Sequence, residues 1–215
     1  MVLEINKIHC MDCLEGMKQI PDNSVDLILT DPPYVHGVSC ISSTQIEKYK
    51  QDWNKNLNLD VFKEIFRISK NQIIFGAEHL CHNFPKSRGW IVWDKRLKSS
   101  ESNDFADCEL IWTSFNKPAR IIRYLWNGFR VELKEKRFAH PTQKPLKLII
   151  NLINQFSKEN DLILDPFMGS GTTAVACKQL NSNFIGFELS QEYVDIANKR
   201  LAQENLKGWF DNGKD

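Results

Sequence analysis

An α/β fold, with a mostly parallel sheet flanked by helices, is predicted for this 215-residue chain from three observations. Helix-like and strand-like patterns alternate over most of its length, as crossover connections require. An apolar run, Val25–Thr30, breaks at Asp31-Pro32-Pro33-Tyr34. A second run, Leu162–Leu164, leads into a glycine-containing turn that opens a helix.

The elements follow in order. A strand is expected near Leu3–His9, then a helix from Cys13 to Ile20 that ends at Pro21. Proline has no N–H to continue the ladder of hydrogen bonds. The strand Val25–Thr30 delivers the Asp-Pro-Pro-Tyr turn, and residues 35–56 follow as a long loop of little periodicity. Loops of that length in compact domains are usually functional. The helix Val61–Lys70 and the strands Gln72–Gly76 and Trp90–Trp93 come next. Apolar residues recur in Phe105–Phe115 and Ile121–Leu125 without a helix between them, which points to an antiparallel edge or hairpin. Pro145–Phe156 reads as a helix with proline in its first turn. The strand Leu162–Leu164, the helix Thr172–Leu180, the strand Phe184–Phe187 and the helix Gln191–Leu206 complete the pattern, before a loosely held tail from Lys207 to Asp215. The length suits one well-packed domain, and a second full one would be cramped.

The Asp31–Tyr34 turn is chemically suggestive. Two prolines fix the backbone and remove two N–H donors, so the carbonyl oxygens accept without competing donors beside them. A carboxylate, rigid acceptors and a ring face together suit a flat object bearing an amino group, such as a nucleobase. The plain alternative is a stiff turn closing a strand.

Residues Asp165-Pro166-Phe167-Met168-Gly169-Ser170-Gly171-Thr172 lie between a strand and a helix. Gly169 and Gly171 permit a tight turn and close ligand approach, and free N–H groups at the helix start favour a polar group. Glu188 ends the next strand, where an acid can accept hydrogen bonds from both hydroxyls of a ribose. The pattern therefore indicates a nucleoside-containing cofactor. A P-loop is excluded in its usual form, because no Lys follows the glycines. A nicotinamide dinucleotide would bring its pyrophosphate against Asp165. S-adenosyl-L-methionine carries a sulfonium and an ammonium group and no phosphate, which suits that carboxylate better.

Composition narrows the class further. Hydrophobic residues make up 42% and charged residues 26%, ordinary for a globular protein. No apolar run approaches a membrane span, and the N-terminus lacks a signal-peptide layout, so a cytoplasmic protein is expected. Of six cysteines, only Cys10 and Cys13 have metal-like or redox-like spacing, and no second pair completes a zinc site. No metal is expected, and Cys10 reads as core packing. The net charge of +1 means that any polyanion must be met by a local basic patch.

Taken in order, Asp31-Pro32-Pro33-Tyr34, His140-Pro141-Thr142-Gln143-Lys144-Pro145 and Asp165–Thr173, with its Phe-x-Gly-x-Gly core, resemble the amino-methyltransferases of DNA. The turn precedes the cofactor loop, which is similar to the circularly permuted motif order of their beta class. His9–Cys13, Pro21–Asp26 and Ile91–Lys95 match the same family. The resemblance spans nearly the whole chain. It implies a Rossmann-like, S-adenosyl-L-methionine-dependent fold in a single catalytic domain, 1–215, with a short target-recognition segment at about 114–139.

The resemblance also assigns roles. Asp31 and the Pro32 carbonyl would accept hydrogen bonds from the target amino group, Pro33 would stiffen the corner, and Tyr34 would stack on a flipped-out base. Glu188 would hold the ribose hydroxyls and Asp12 the adenine amino group, with Cys13 also in the cofactor-binding set. Phe167 would pack on the ligand, and Asp165 with Gly169 would shape the methionine end, helped by Thr142 and Lys144 of the His140–Pro145 segment. Asp31, His140, Ser170, Gly171 and Thr172 would complete the cofactor-binding set. For Asp12 the competing role is a helix N-cap. Lys117, Arg120, Arg123, Arg130, Lys134, Lys136 and Arg137, interleaved with Tyr124, Trp126 and Phe129, would meet double-stranded DNA. Adenine N6 is the expected target, because Asp rather than Ser opens the turn. Cytosine N4 is the alternative, and a nicotinamide-dependent oxidoreductase is the alternative from another class. RNA as substrate, a homodimer and a companion restriction endonuclease are left open.

Overall fold

The computed structural model describes residues 3–33, 58–96, 106–127, 130–131 and 143–203. In chain order the elements are β1 (Lys7–Cys10), α1 (Cys13–Met17), β2 (Val25–Thr30), α2 (Asp60–Ile68), β3 (Ser69–Ile74), α3 (Ala77–Leu80), β4 (Gly89–Asp94), β5 (Cys108–Thr113), β6 (Arg120–Arg123), β7 (Trp126–Asn127) and β8 (Arg130–Val131). They continue with α4 (Leu146–Phe156), β9 (Leu162–Asp165), α5 (Thr172–Gln179), β10 (Asn183–Glu188) and α6 (Gln191–Ala202).

Eight strands form one sheet in the order β1-β10-β9-β2-β3-β5-β4-β6. The five strands from β1 to β3 in this order are mutually parallel. β2 lies at the centre, and Val25, Leu27, Ile28 and Leu29 are at most 1% exposed. A continuous apolar run is what a parallel strand covered on both faces requires. One face carries α1, α2 and α3, where Met17, Phe62, Ile65 and Leu80 join a core with Ile28 and Ile74. The other carries α4, α5 and α6, where Leu152, Ala174 and Ala197 pack with Leu27 and Ile73. In α2 the buried Val61, Phe62, Ile65 and Ile68 recur at helical spacing, each contributing roughly 1.5–3 kcal/mol of gross burial energy.

Several boundaries differ from the sequence reading. The first strand begins at Lys7, because Asn6 adopts a left-handed conformation (φ 60°) and uses its side chain to cap Phe184 N–H. Cys10 is exposed at the strand end, so it is not core packing. The second helix stops at Ile68, since Ser69 already pairs with Val25 and Lys70 reaches Asp26 at 2.6 Å. Pro145 is the N-cap of α4 rather than its first residue. The expected antiparallel element exists as β5, but it is inserted between β3 and β4 rather than set at the edge. β6 closes that edge parallel to β4, and β7 with β8 forms a separate two-stranded ribbon. The expected loop 35–56 and the tail lie outside the described residues. Among the described residues, no helix is long and apolar enough to cross a membrane.

Candidate active site

Strand adjacency assembles the site. β2 and β9 are neighbours, so the turn at Asp31 and the turn at Asp165 leave the same edge of the sheet side by side. Thr30 Oγ1 donates to Asp165 Oδ1 at 2.8 Å across 135 positions of sequence. The C-terminal ends of β10 and β1 complete this edge with Glu188 and, past Cys10, Asp12. Ligands of open α/β sheets bind at such strand ends.

Asp31 projects into a buried charge cluster. Lys144 Nζ lies 2.5 Å from Asp31 Oδ2 and 3.3 Å from Glu109 Oε1, and Lys95 Nζ lies 2.8 Å from Glu109 Oε2. Asp31 Oδ1 is buried and has no hydrogen-bond partner among the described residues. Burial pushes the Asp31 carboxyl above its ordinary value; Lys144 opposes this and Glu109 adds to it. Burial acts the same way on Glu109, yet the ammonium groups of Lys144 and Lys95 outweigh it and hold that carboxyl below its ordinary value. Lys144, expected at the methionine end, thus contacts the Asp31 carboxylate directly.

The glycine loop is held from both sides. Asp165 accepts from Thr30, from Thr173 Oγ1 at 2.7 Å and from Phe167 N–H at 3.1 Å. Its oxygens therefore lock the loop to β2 and α5, and burial pushes its carboxyl up to about 6 against those bonds. Gly169 N–H donates to Glu188 Oε2 and Ser190 N–H to Oε1, both at 2.9 Å. Each of these oxygens keeps a lone pair for a hydroxyl donor. Burial raises the Glu188 carboxyl, and the backbone donors offset part of that rise. Gly171 (φ 82°) lies so close to α6 that an added Cβ would stand 2.6 Å from Ala197 Cβ. Buried Arg200 of α6 donates to Ser170 O at 2.6 Å, Ser170 Oγ at 3.0 Å and Thr172 Oγ1 at 3.2 Å. Ser170 and Thr172 thus serve the shape of the loop.

Between these groups is a cavity of about 440 Å³. Asp12, Cys13, Pro32, Pro33 and Phe167 line it beside the residues above. Among its described lining residues are the carboxylates of Asp12, Asp31, Asp165 and Glu188, with Lys144 as the cation. An acidic wall suits a cationic ligand and repels a pyrophosphate. Asp12 is also the N-cap of α1, with Oδ1 accepting from Leu14 and Glu15 N–H. Both readings of this residue are compatible, because capping occupies one oxygen. Cys13 is pushed up to about 12 by burial and by Asp12, so its thiol stays neutral. Among the described residues no cluster of His, Cys, Asp and Glu could hold a metal ion.

Tyr34, His140, Thr142, Lys134, Lys136 and Arg137 lie outside the described residues, and Arg130 is described only as backbone of β8. The basic residues that are described divide by position. Arg123 ends β6 on the site side, 3.5 Å from Asp94. Arg120 starts β6 at the far end. Lys117 precedes it, lying over the Phe156 ring and donating to Gln155 O. The sequence reading missed Glu109, Thr30 and Arg200. Two carried a signal: Glu109 is an acid inside the apolar strand Cys108–Thr113, and Arg200 falls at helical spacing from Val194 and Ala197.

An open α/β sheet with a glycine loop, a ribose-competent acid and an acidic cavity at its strand ends defines a nucleoside-cofactor-binding protein. Residues 87–199, over half of the chain, match the family model described as DNA methylase. Type II methyltransferase M.HinfI of Haemophilus influenzae is 30% identical, over 93% of this chain and 69% of its own. Type II methyltransferase M1.MboII of Moraxella bovis is 29% identical, over 94% of this chain and 98% of its own. The crystal structure of the M1.HpyAVI–SAM complex matches with a TM-score of 0.60 at 27% identity, covering 90% of this chain and 98% of that one. The chain belongs to the DNA methylase family.

Proposed function

We propose that the protein transfers a methyl group from S-adenosyl-L-methionine to the exocyclic N6 of adenine in double-stranded DNA. The observation that carries this reading is Asp31 Oδ1, a buried acceptor without a partner among the described residues, in the cavity that also holds the glycine loop and Glu188. A buried acceptor left unmatched costs about 1–3 kcal/mol, which a ligand amino group would recover. The cavity size falls within the range of small-molecule sites, and its carboxylates match a sulfonium-bearing ligand.

When bound, the cofactor supplies an electrophilic methyl group. Glu188 would hold the ribose hydroxyls, Asp12 the adenine amino group, and Phe167 a ring face. Asp31 Oδ1 and the Pro32 carbonyl would accept the target amino protons. This localises the nitrogen lone pair and offsets the positive charge that develops there. Pro33 would fix the corner, and Tyr34 would stack on a base flipped from the duplex. One domain, 1–215, would carry this chemistry, with the segment at about 114–139 supplying DNA contacts, Arg123 among them and Lys117 not, and reading a short target. A homodimer and a companion restriction endonuclease in the cytoplasm belong to the same reading.

The test is nucleoside mass spectrometry of duplex DNA after incubation with the purified protein and S-adenosyl-L-methionine. N6-methyladenine is expected. N4-methylcytosine in its place would overturn the choice of base. Calorimetric binding of NAD but not of S-adenosyl-L-methionine would overturn the whole assignment.

A further inference from the structure

Glu109 is 4% exposed and lies within β5, opposite Trp93, outside the cavity lining. It is buried away from the described cavity lining, yet it shares Lys144 with Asp31. Two carboxylates and two ammonium groups thus form a chain, Asp31–Lys144–Glu109–Lys95, with no net charge. Buried ion pairs of this kind add little stability over an apolar packing, so the organisation they impose is the feature to explain.

The geometry explains it through the two oxygens of Asp31. Lys144 occupies Oδ2, and Oδ1 is left without a partner among the described residues. An ammonium group is a flexible point donor on a four-carbon stem, and nothing intrinsic confines it to one oxygen of a carboxylate. Glu109 Oε1, 3.3 Å from Lys144 Nζ, offers the ammonium group a second carboxylate to attract it. Lys95 in turn holds Glu109 by its second oxygen and rests 4.8 Å from the Trp93 ring. The Phe75 ring, 5.3 Å from Lys144 Nζ, limits the remaining space.

We propose that Glu109, held by Lys95, is a positioning residue that confines Lys144 to one oxygen of Asp31 and keeps the other open for the amino group of the base. This rests on the methyl-transfer reading above. The charged groups facing Asp31 among the described residues are Lys144 before α4, Glu109 on β5, Lys95 after β4 and Asp165 on β9. Glu109 raises the Asp31 titration, while Lys144 and Lys95 lower it. Removing Glu109 and removing Lys95 must therefore shift it in opposite directions.

The experiment compares Glu109→Gln, Glu109→Asp and Lys95→Met with the wild type. It reads the Asp31 carboxyl titration by carbon-13 NMR, cofactor affinity by calorimetry, and the pH profile of single-turnover methylation. Glu109→Gln should retain cofactor affinity, lower the Asp31 midpoint and slow methylation about tenfold, moving the acid limb of the profile downward. Lys95→Met should raise the midpoint, and Glu109→Asp should restore part of the rate. An unmoved midpoint in both Glu109→Gln and Lys95→Met would overturn the inference, as would an unchanged rate and acid limb in Glu109→Gln. If the wild type methylates no nucleobase while the midpoints still move in opposite directions, the proposed function fails but the coupling of Glu109 to Asp31 stands. If Glu109→Gln does not fold, Lys95→Met alone decides, by the sign of its shift.

Discussion

Three carboxylates at this site, in similar surroundings, are held in three different ways. Asp31 keeps an open oxygen, Asp165 has both oxygens filled by hydroxyls and an N–H, and Glu188 accepts two backbone donors with lone pairs to spare. Asp31→Ala should leave cofactor affinity within about twofold and lower methylation by about 10³, since the lost group acts on charge that develops during transfer. Calorimetry and a methyl-incorporation assay check the two halves of that statement. Asp165 gives a pH prediction. Its folded-state value, raised from 3.8 to about 6, means that the charged form is penalised by folding. The stability it contributes is present below its unfolded value and is lost as pH rises through about 6, a change of the order of 3 kcal/mol. The advantage of the wild type over Asp165→Asn in urea unfolding should therefore shrink from about pH 4 to about pH 7.5. A constant difference would mean that the carboxylate is not penalised. The Asp residues themselves were legible in the sequence because each follows an apolar run. Their separate roles were not, since these depend on which hydroxyl or ammonium group the fold brings alongside.

At the scale of elements, the cofactor loop is a turn clamped between β2 and α6. Thr30 holds one end through Asp165, and Arg200 holds the other through Ser170 and Thr172. Gly171 is required twice over, by its left-handed backbone and by the approach of Ala197. Gly171→Ala should cost about 2–4 kcal/mol, combining backbone strain with overpacking, and should weaken cofactor binding. Chemical denaturation and a cofactor titration would measure both; a neutral substitution would show that α6 can move aside. The glycines were readable from their spacing after a strand. The clamp was not, because Arg200 comes from a helix whose packing against the loop is set by the order of strands. Strand order also placed β5 inside the sheet, antiparallel to both neighbours and not paired with β6, where pattern alone suggested an antiparallel edge or hairpin. Hydrogen-bond partners are chosen between segments, and a single segment carries no record of the choice.

Over the whole molecule, basic residues that look alike in sequence face different ends of the sheet. Arg123, 60% exposed, stands at the same edge as Asp31, whereas Arg120 and Lys117 lie toward the opposite edge, Lys117 over aromatic rings. If the proposed function holds, Arg123 is the described exposed cation of β6 placed to contact DNA at that edge. Arg123→Ala should weaken DNA binding several-fold and reduce its dependence on log salt by about one. Lys117→Ala should leave binding unchanged and lose about 0.5–1 kcal/mol of stability. Equal effects of the two variants in a salt titration would contradict this division. The alternation of helices and strands and the turns that follow Thr30 and Leu164 were legible in the sequence, because periodicity, proline and glycine act locally. That these turns share one cavity, that Lys144 bridges Asp31 and Glu109, and which end of the sheet each described basic residue occupies came from tertiary structure alone. Those facts depend on strand order and on charges brought together from distant segments, and local preference does not encode either.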